Sequence, residues 1–187
     1  YFLLATEDLD AIGPKAKCSP PIRDREHERK NWEKLAKGEV SMLVSDHSPC
    51  TIDLKSDPNA FKAWGGISAA QNCVDAMFDE AVLKRHISPV ILAKALSTNA
   101  AERFRMTGKG QIAAGFDADL VLIDPNQSYT ITPDKLYYKN KFTAYEGRRV
   151  DCRITHTFVR GHLVYSLENG FQGEPIGQRI VHARVNN

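Results

Sequence analysis

The sequence predicts an α/β part that runs into a small β-rich module, and three observations carry that reading. A charged helical stretch over 24–37 is followed at once by the uncharged run Met42-Leu43-Val44-Ser45. Helix followed by buried strand is the local grammar of α/β folds. Apolar residues at positions 67, 70, 74, 77, 78, 81 and 82 recur at helical spacing. After Phe104 glycines at 108, 110 and 115 punctuate the chain, and short apolar strands replace the helices. The division falls between residues 1–107 and residues 108–187.

The chain opens on Tyr1-Phe2-Leu3-Leu4, an apolar run without an initial Met that reads as the tail of a strand. A piece of something longer is therefore expected. Thr6 to Gly13 reads as a short helix, with Thr6 as N-cap, Glu7 and Asp8 in its first turn and Gly13 as its stop. Pro20 and Pro21 force an extended, rigid path over 17–24. Such a loop either presents backbone groups to a ligand or merely connects. The helix over 24–37 turns Trp32, Leu35 and Ala36 inward and ends at Gly38. Few of its residues are apolar, so it lies on the outside.

Met42–Ser45 reads as a strand buried on both faces, as in a parallel sheet covered by helices. A long loop, 51–66, turns at Asp57-Pro58-Asn59 and ends on Gly65-Gly66, which opens the clearest helix, 67–85. Ser88-Pro89 starts the next helix, and Asn99 to Glu102 has capping-box spacing for a further short one. Strands follow over 119–124 and 128–132. Residues 155–159 and 162–165 flank Arg160-Gly161 as a hairpin. The tail, 171–187, is polar and runs over the surface.

The chain is 42% apolar and 26% charged, ordinary for a globular protein. Its 25 basic and 23 acidic residues leave a formal charge of +2 and no basic stripe, so nucleic acid is not suggested. No apolar run has the length of a membrane span, and no basic segment precedes the opening apolar run as in a secretory signal. Cys18, Cys50, Cys73 and Cys152 form no Cys-x-x-Cys pair, so structural zinc and thioredoxin-like chemistry are not indicated, and a reduced cytoplasmic setting is expected. Cys18 and Cys50 read as packing residues in loops beside the candidate site. His156, His162 and His182 read as surface or hairpin residues.

That site is centred on Asp46-His47, where the strand 42–45 ends and Ser48-Pro49 turns the chain out. In barrels of alternating strands and helices, ionisable residues at the C-terminal end of a strand are the functional ones. A carboxylate there ligates a divalent metal or shuttles a proton. The alternative is that Asp46 caps a turn and His47 packs in a loop. Spacing leaves both open.

Three motifs carry a family resemblance: Ala16-Lys17-Cys18-Ser19-Pro20-Pro21-Ile22-Arg23-Asp24, then Ser45-Asp46-His47-Ser48-Pro49-Cys50, then Ala63-Trp64-Gly65-Gly66-Ile67. Together they resemble the C-terminal part of the allantoinases, cyclic amidohydrolases related to dihydroorotase and the dihydropyrimidinase/hydantoinase group. The run Gly110 to Val121 resembles a signature shared across that superfamily. The resemblance covers the chain from Tyr1 to about Gly177.

The resemblance implies the end of a TIM-barrel metal-dependent hydrolase, strands seven and eight with their helices, plus a small β-sandwich. It implies two divalent ions, zinc by expectation, and hydrolysis of the cyclic amide of allantoin. Asp46 matches the family's strand-eight aspartate, a metal ligand and general acid/base. Ser19 and Ser48 match positions whose backbone holds the ureide ring, and Arg23 braces the loop. The family's other ligands, among them a carboxylated lysine, have no counterpart in this sequence, so 187 residues alone are expected to be inactive and to need the missing N-terminal barrel half. A homo-oligomer, commonly a tetramer, is implied as well. The alternatives are a hydantoinase/dihydropyrimidinase-type cyclic amidase and a non-catalytic scaffold relative.

Overall fold

The computed structural model describes residues 1–180, and His182 with the rest of 181–187 lies outside them. Helices occupy the first part of the chain and strands the second. A 3₁₀ turn, Thr6–Asp8, leads into α1, Leu9–Ile12, and a second turn, Gly13–Ala16. Ala5 rather than Thr6 takes the cap position, and the Asp8 carboxylate accepts its N–H at 2.9 Å. The α2 helix, Arg25–Ala36, is capped by Asp24, whose side chain accepts the His27 N–H at 2.9 Å. Trp32 and Leu35 are buried as expected, but Ala36 is exposed. Its place on the inner stripe goes to Glu28, one turn before Trp32, whose carboxylate accepts the Trp32 indole N–H at 3.0 Å.

Two whole elements are corrected as well. Met42–Ser45 is not a strand: the segment is irregular, Val44 is 75% exposed, and Met42 and Leu43 are only half-buried. A strand is defined by its ladder, and the Leu43 N–H donates instead to the helical Ala95 carbonyl at 2.9 Å. The helix expected over 67–85 begins only at Cys73. It consists of α3, Cys73–Phe78, and a π-helical turn, Asp79–Lys84. Gly65-Gly66 therefore open a bridge and a turn, because Ile67 pairs with His47 and the following N–H groups go to the His47 ring.

The next helix is α4, Pro89–Ala93, capped by Ser88, a π-helical turn, Lys94–Thr98, and α5, Asn99–Arg103. The run is continuous, so Asn99 forms no capping box, and its amide donates to the Ser41 carbonyl at 2.8 Å. Trp32, Leu35, Met77, Ala81, Ile87, Leu92 and Ala95 form one core, against which Leu43 packs.

The strands are β1, Leu120–Asp124; β2, Tyr129–Thr130; β3, Arg149–Val150; β4, Arg153–Val159; β5, His162–Ser166; and β6, Gly170–Phe171. An antiparallel sheet runs β1-β4-β5-β6, and β2 pairs with β3. The β4–β5 hairpin turns on Arg160 and Gly161, both at positive φ, as a two-residue turn matched to strand twist requires. Ile131, Leu136, Val150 and Cys152 form a further core that also receives Phe78 and Leu83. The strands thus pack onto α3 and its π-helical turn. Thr143 donates to the Ser68 carbonyl at 2.7 Å, which ties the same module to the candidate site.

Candidate active site

Three loops meet at the Gly65-Gly66 pair. The first, 17–24, is tied at Pro20 and braced within itself. The Tyr1 hydroxyl donates to the Pro20 carbonyl at 2.7 Å, and the Arg23 guanidinium to the Pro21 carbonyl at 3.1 Å. The second follows Asp46, and the third carries Gly65-Gly66. A Cβ on Gly65 would stand 3.1 Å from the Ser19 Cβ. A Cβ on Gly66 would stand 2.4 Å from the Ser48 hydroxyl and 2.8 Å from its carbonyl oxygen. The glycine pair is therefore the contact that brings Ser19 and Ser48 together, and only a residue without a side chain fits at 66. The Ser48 N–H is already given to the Ile67 carbonyl at 3.0 Å.

Asp46 is exposed and sits at φ 43°, a left-handed conformation that Asp adopts more readily than most residues. It stands on the rim of a cleft of about 230 Å³ whose lining includes Tyr1, Leu4, Cys18, Ser45, Ile67 and Asn72. Asn72 is buried. Its Oδ1 has no hydrogen-bond partner, while its Nδ2 donates to the Tyr129 hydroxyl at 2.9 Å. That hydroxyl in turn donates to Asp75, whose carboxyl is pushed up by burial. Ser19 and Ser48 lie outside the cleft lining. Cys18 reaches the cleft. Burial pushes the Cys50 thiol up, away from a reactive thiolate.

His47 takes the packed role. Its Nδ1 accepts the N–H groups of Ala69 and Ala70 at 3.0 and 3.2 Å, and its ring lies against Tyr138 with centroids 4.8 Å apart. A nitrogen that accepts two donors carries no proton, so the proton is on Nε2. Among the described residues no group of three or more His, Cys, Asp or Glu stands together to hold a metal. Asp46 is a single carboxylate, and the His47 Nδ1 lone pair is committed, so these residues by themselves do not fit a two-ion centre.

Sequence reasoning passed over Lys55. Its side chain is 4% exposed, and its ammonium donates to the carbonyls of Pro14, Lys15 and Lys17 at 3.2, 3.5 and 2.9 Å. Nothing in Ile52-Asp53-Leu54-Lys55 marks that lysine out from a surface one.

The helical part with Asp46 at a cleft, backed by a β module, is the frame for comparison with known proteins. The amidohydrolase family model matches residues 10–164, and the chain belongs to that family. Within it, the chain is 51% identical over 181 residues to the allantoinase of Escherichia coli O139:H28 (strain E24377A / ETEC), across 97% of this chain and 40% of that one. It thus spans about 40% of the length of the curated relatives it matches. Among solved structures, an L-hydantoinase (dihydropyrimidinase) from Arthrobacter aurescens superposes with a TM-score of 0.84 at 28% identity, over 88% of this chain and 37% of that one. A D-hydantoinase (dihydropyrimidinase) from Thermus sp. gives 0.83 at 30% identity, over 92% and 39%.

Proposed function

We propose that this chain is the C-terminal portion of an allantoinase, a metal-dependent enzyme that opens the cyclic amide of allantoin to give allantoate. The observation that carries the reading is the 51% identity to an allantoinase across 97% of the chain, motif loops included. Residues 1–107 would form the C-terminal part of a (β/α)₈ barrel. The unit 108–187 would hold the β-sandwich module and a C-terminal tail, of which 181–187 lie outside the described residues. Hydantoinases are similar at 28–30% identity, and this difference favours allantoin over hydantoins as substrate.

In this reading Asp46 moves the proton. As water attacks the ring carbonyl, a C–O bond forms and Asp46 takes the proton released. It hands that proton to the ring nitrogen as the C–N bond breaks, leaving a carboxylate and a freed amide nitrogen. The backbone at Ser19 and Ser48 holds the flat ureide, which offers alternating donors and acceptors. The family's divalent ions, zinc as first choice, would make a hydroxide available near neutral pH. Among the described residues Asp46 is the donor that would serve them, and the others would come from the N-terminal remainder. Cytoplasmic location and homotetramer assembly complete the proposal.

The test compares two polypeptides. The longer chain should hydrolyse allantoin, prefer it to dihydrouracil and lose about 1,000-fold or more in kcat on Asp46→Asn. The 187-residue chain alone should turn over neither substrate and retain fewer than two ions per chain. It should also aggregate or associate with the N-terminal half. A preference of the longer chain for dihydrouracil moves the assignment to the dihydropyrimidinases. Turnover of neither substrate leaves a scaffold.

A further inference from the structure

We infer that Lys55 is the positioning residue that sets the Ser19 loop for substrate, acting as a buried three-pronged clamp between the two loops that carry Ser19 and Ser48. The inference rests on the reading of Ser19 and Ser48 as ring-holding positions. An ammonium has three N–H donors and no acceptor, and this one meets three main-chain carbonyls. They belong to Pro14, Lys15 and Lys17, the stretch that leads into Cys18-Ser19. Lys55 itself ends the turn Ile52–Lys55, seven residues after Ser48 in the numbering.

The contacts close a ring. Ser48 meets Gly66, and Gly65 meets Ser19. The Lys17 carbonyl meets the Lys55 ammonium, and the chain runs back from Lys55 to Ser48. The Trp64 N–H donates to the Leu54 carbonyl at 2.8 Å, so the glycine loop is tied to the same turn. Removing the ammonium opens this ring on one side only. It frees the Ser19 loop, leaves Ser48 on Gly66, and does not touch Asp46.

A lysine buried merely for packing would cost more than it gives, because burying an ammonium is unfavourable unless its hydrogen bonds are met. Burial pushes this one down from the usual lysine range. Its partners are carbonyl oxygens rather than carboxylates, so the contact is directional and specifies where three peptide groups sit. Main-chain groups can recognise a flat ureide only if their positions are fixed in advance. Lys55 is thus a device for fixing peptides rather than for chemistry.

The test uses the longer chain with Lys55→Met, which keeps the stem and removes the donors, and Lys55→Gln, which keeps a smaller neutral donor. For Lys55→Met, KM for allantoin should rise about 10-fold or more while kcat stays within about threefold. Amide hydrogen exchange over residues 14–20 should quicken, and exchange in the β4–β5 hairpin should not change. Lys55→Gln should fall between Met and the unsubstituted enzyme, and it decides the question if the Met variant does not fold. Unchanged exchange over 14–20, or a fall in kcat with KM unchanged, overturns the inference. If the unsubstituted longer chain opens no cyclic ureide, the site reading itself has failed. Exchange alone then decides whether Lys55 holds the loop.

Discussion

Between β4 and β5 the backbone satisfies itself. Phe158 faces Leu163 and Val159 faces His162 across an antiparallel ladder that turns on Arg160-Gly161. Around Asp46 the backbone is satisfied by side chains. Lys55 donates to three carbonyls, and His47 accepts two N–H groups. The two regions lie within one family fold but respond differently to change. A ladder shares its hydrogen bonds among many equivalent groups and is indifferent to most side chains. A clamped loop concentrates them in one residue, so a single substitution there removes several at once.

Of the substitutions that compare the two regions, the largest effect is expected at the glycine contact. Gly66→Ala would place a methyl 2.4 Å from the Ser48 hydroxyl and 2.8 Å from its carbonyl oxygen, well inside contact distance. Both loops must shift, and a displacement near 1 Å in a positioning element lowers turnover by about 100-fold. Gly161→Ala in the hairpin has open space around it, with its nearest neighbour, the Ala118 Cβ, at 4.0 Å, and a φ of 80° as its only strain. It should cost about 1 kcal/mol of stability and leave turnover unchanged. Steady-state kinetics and thermal unfolding of both variants in the longer chain check the contrast. A Gly66→Ala enzyme of normal activity would break it.

A second substitution probes the ion pair that ties the π-helical turn to Arg148, just before β3. Glu80 is buried and accepts from Lys84 at 3.0 Å and from Arg148 at 2.6 Å, with Arg85 as a third partner. Burial raises its pKa, but the hydrogen bonds from Arg85, Lys84 and Arg148 outweigh burial and hold the carboxyl down to about 2. The folded value lies below the unfolded one. The stabilisation is therefore complete above the ordinary carboxylate range and is lost as pH falls from about 4.5 toward 2. Glu80→Gln should cost about 2 kcal/mol at neutral pH, because it removes the buried carboxylate that three partly exposed cations share. It should also flatten the acid limb of a plot of stability against pH. An unchanged acid limb would show that other carboxylates set it.

Much of this organisation was legible in the sequence because it was periodic or punctuated. Asp24, Trp32 and Leu35 announced α2, Ser88-Pro89 announced α4, and Arg160-Gly161 announced the hairpin. The motif loops with Ser19, Asp46, Ser48 and Gly65-Gly66 were legible as motifs, and the structure adds that the glycines join the two serines. What was not legible depends on contacts distant in sequence. Met42–Ser45 has strand composition, but a strand needs neighbours, and composition does not supply them. The spacing of Ile67 and Ala70 is helical, yet the N–H groups of Ala69 and Ala70 go to His47, more than twenty positions earlier. Lys55 is invisible for the same reason, since its partners are peptide groups some forty residues upstream.

His47 offers a smaller test on the loop side. His47→Ala strands the N–H groups of Ala69 and Ala70, of which Ala69 is buried and Ala70 is exposed to water. It also removes the ring from Tyr138. One buried orphan donor and a lost aromatic contact together cost about 2 kcal/mol. Exchange at residues 67–72 should quicken before any effect appears in β4 or β5. Calorimetry and exchange on the longer chain decide this, and a loss under about 0.5 kcal/mol would remove His47 from the list of clamps.

The smallest effect is expected on the module side, at Arg149→Ala. Arg149 pairs with Asp151 at 2.6 Å and donates to the Ser128 hydroxyl at 3.0 Å, but its side chain is 69% exposed. Exposed pairs of this kind are worth under about 1 kcal/mol, since water and salt compete for both charges. The register of β2 on β3 is carried by the backbone pairing of Tyr129 with Val150 and by the fully buried Val150 side chain. Arg149→Ala should therefore shift stability by about 0.5 kcal/mol or less, and Val150→Ala by about 2 kcal/mol. If the arginine proved the costlier of the two, the β module would also hang on single polar side chains, and the contrast with the Asp46 loops would fail where it was expected to be strongest.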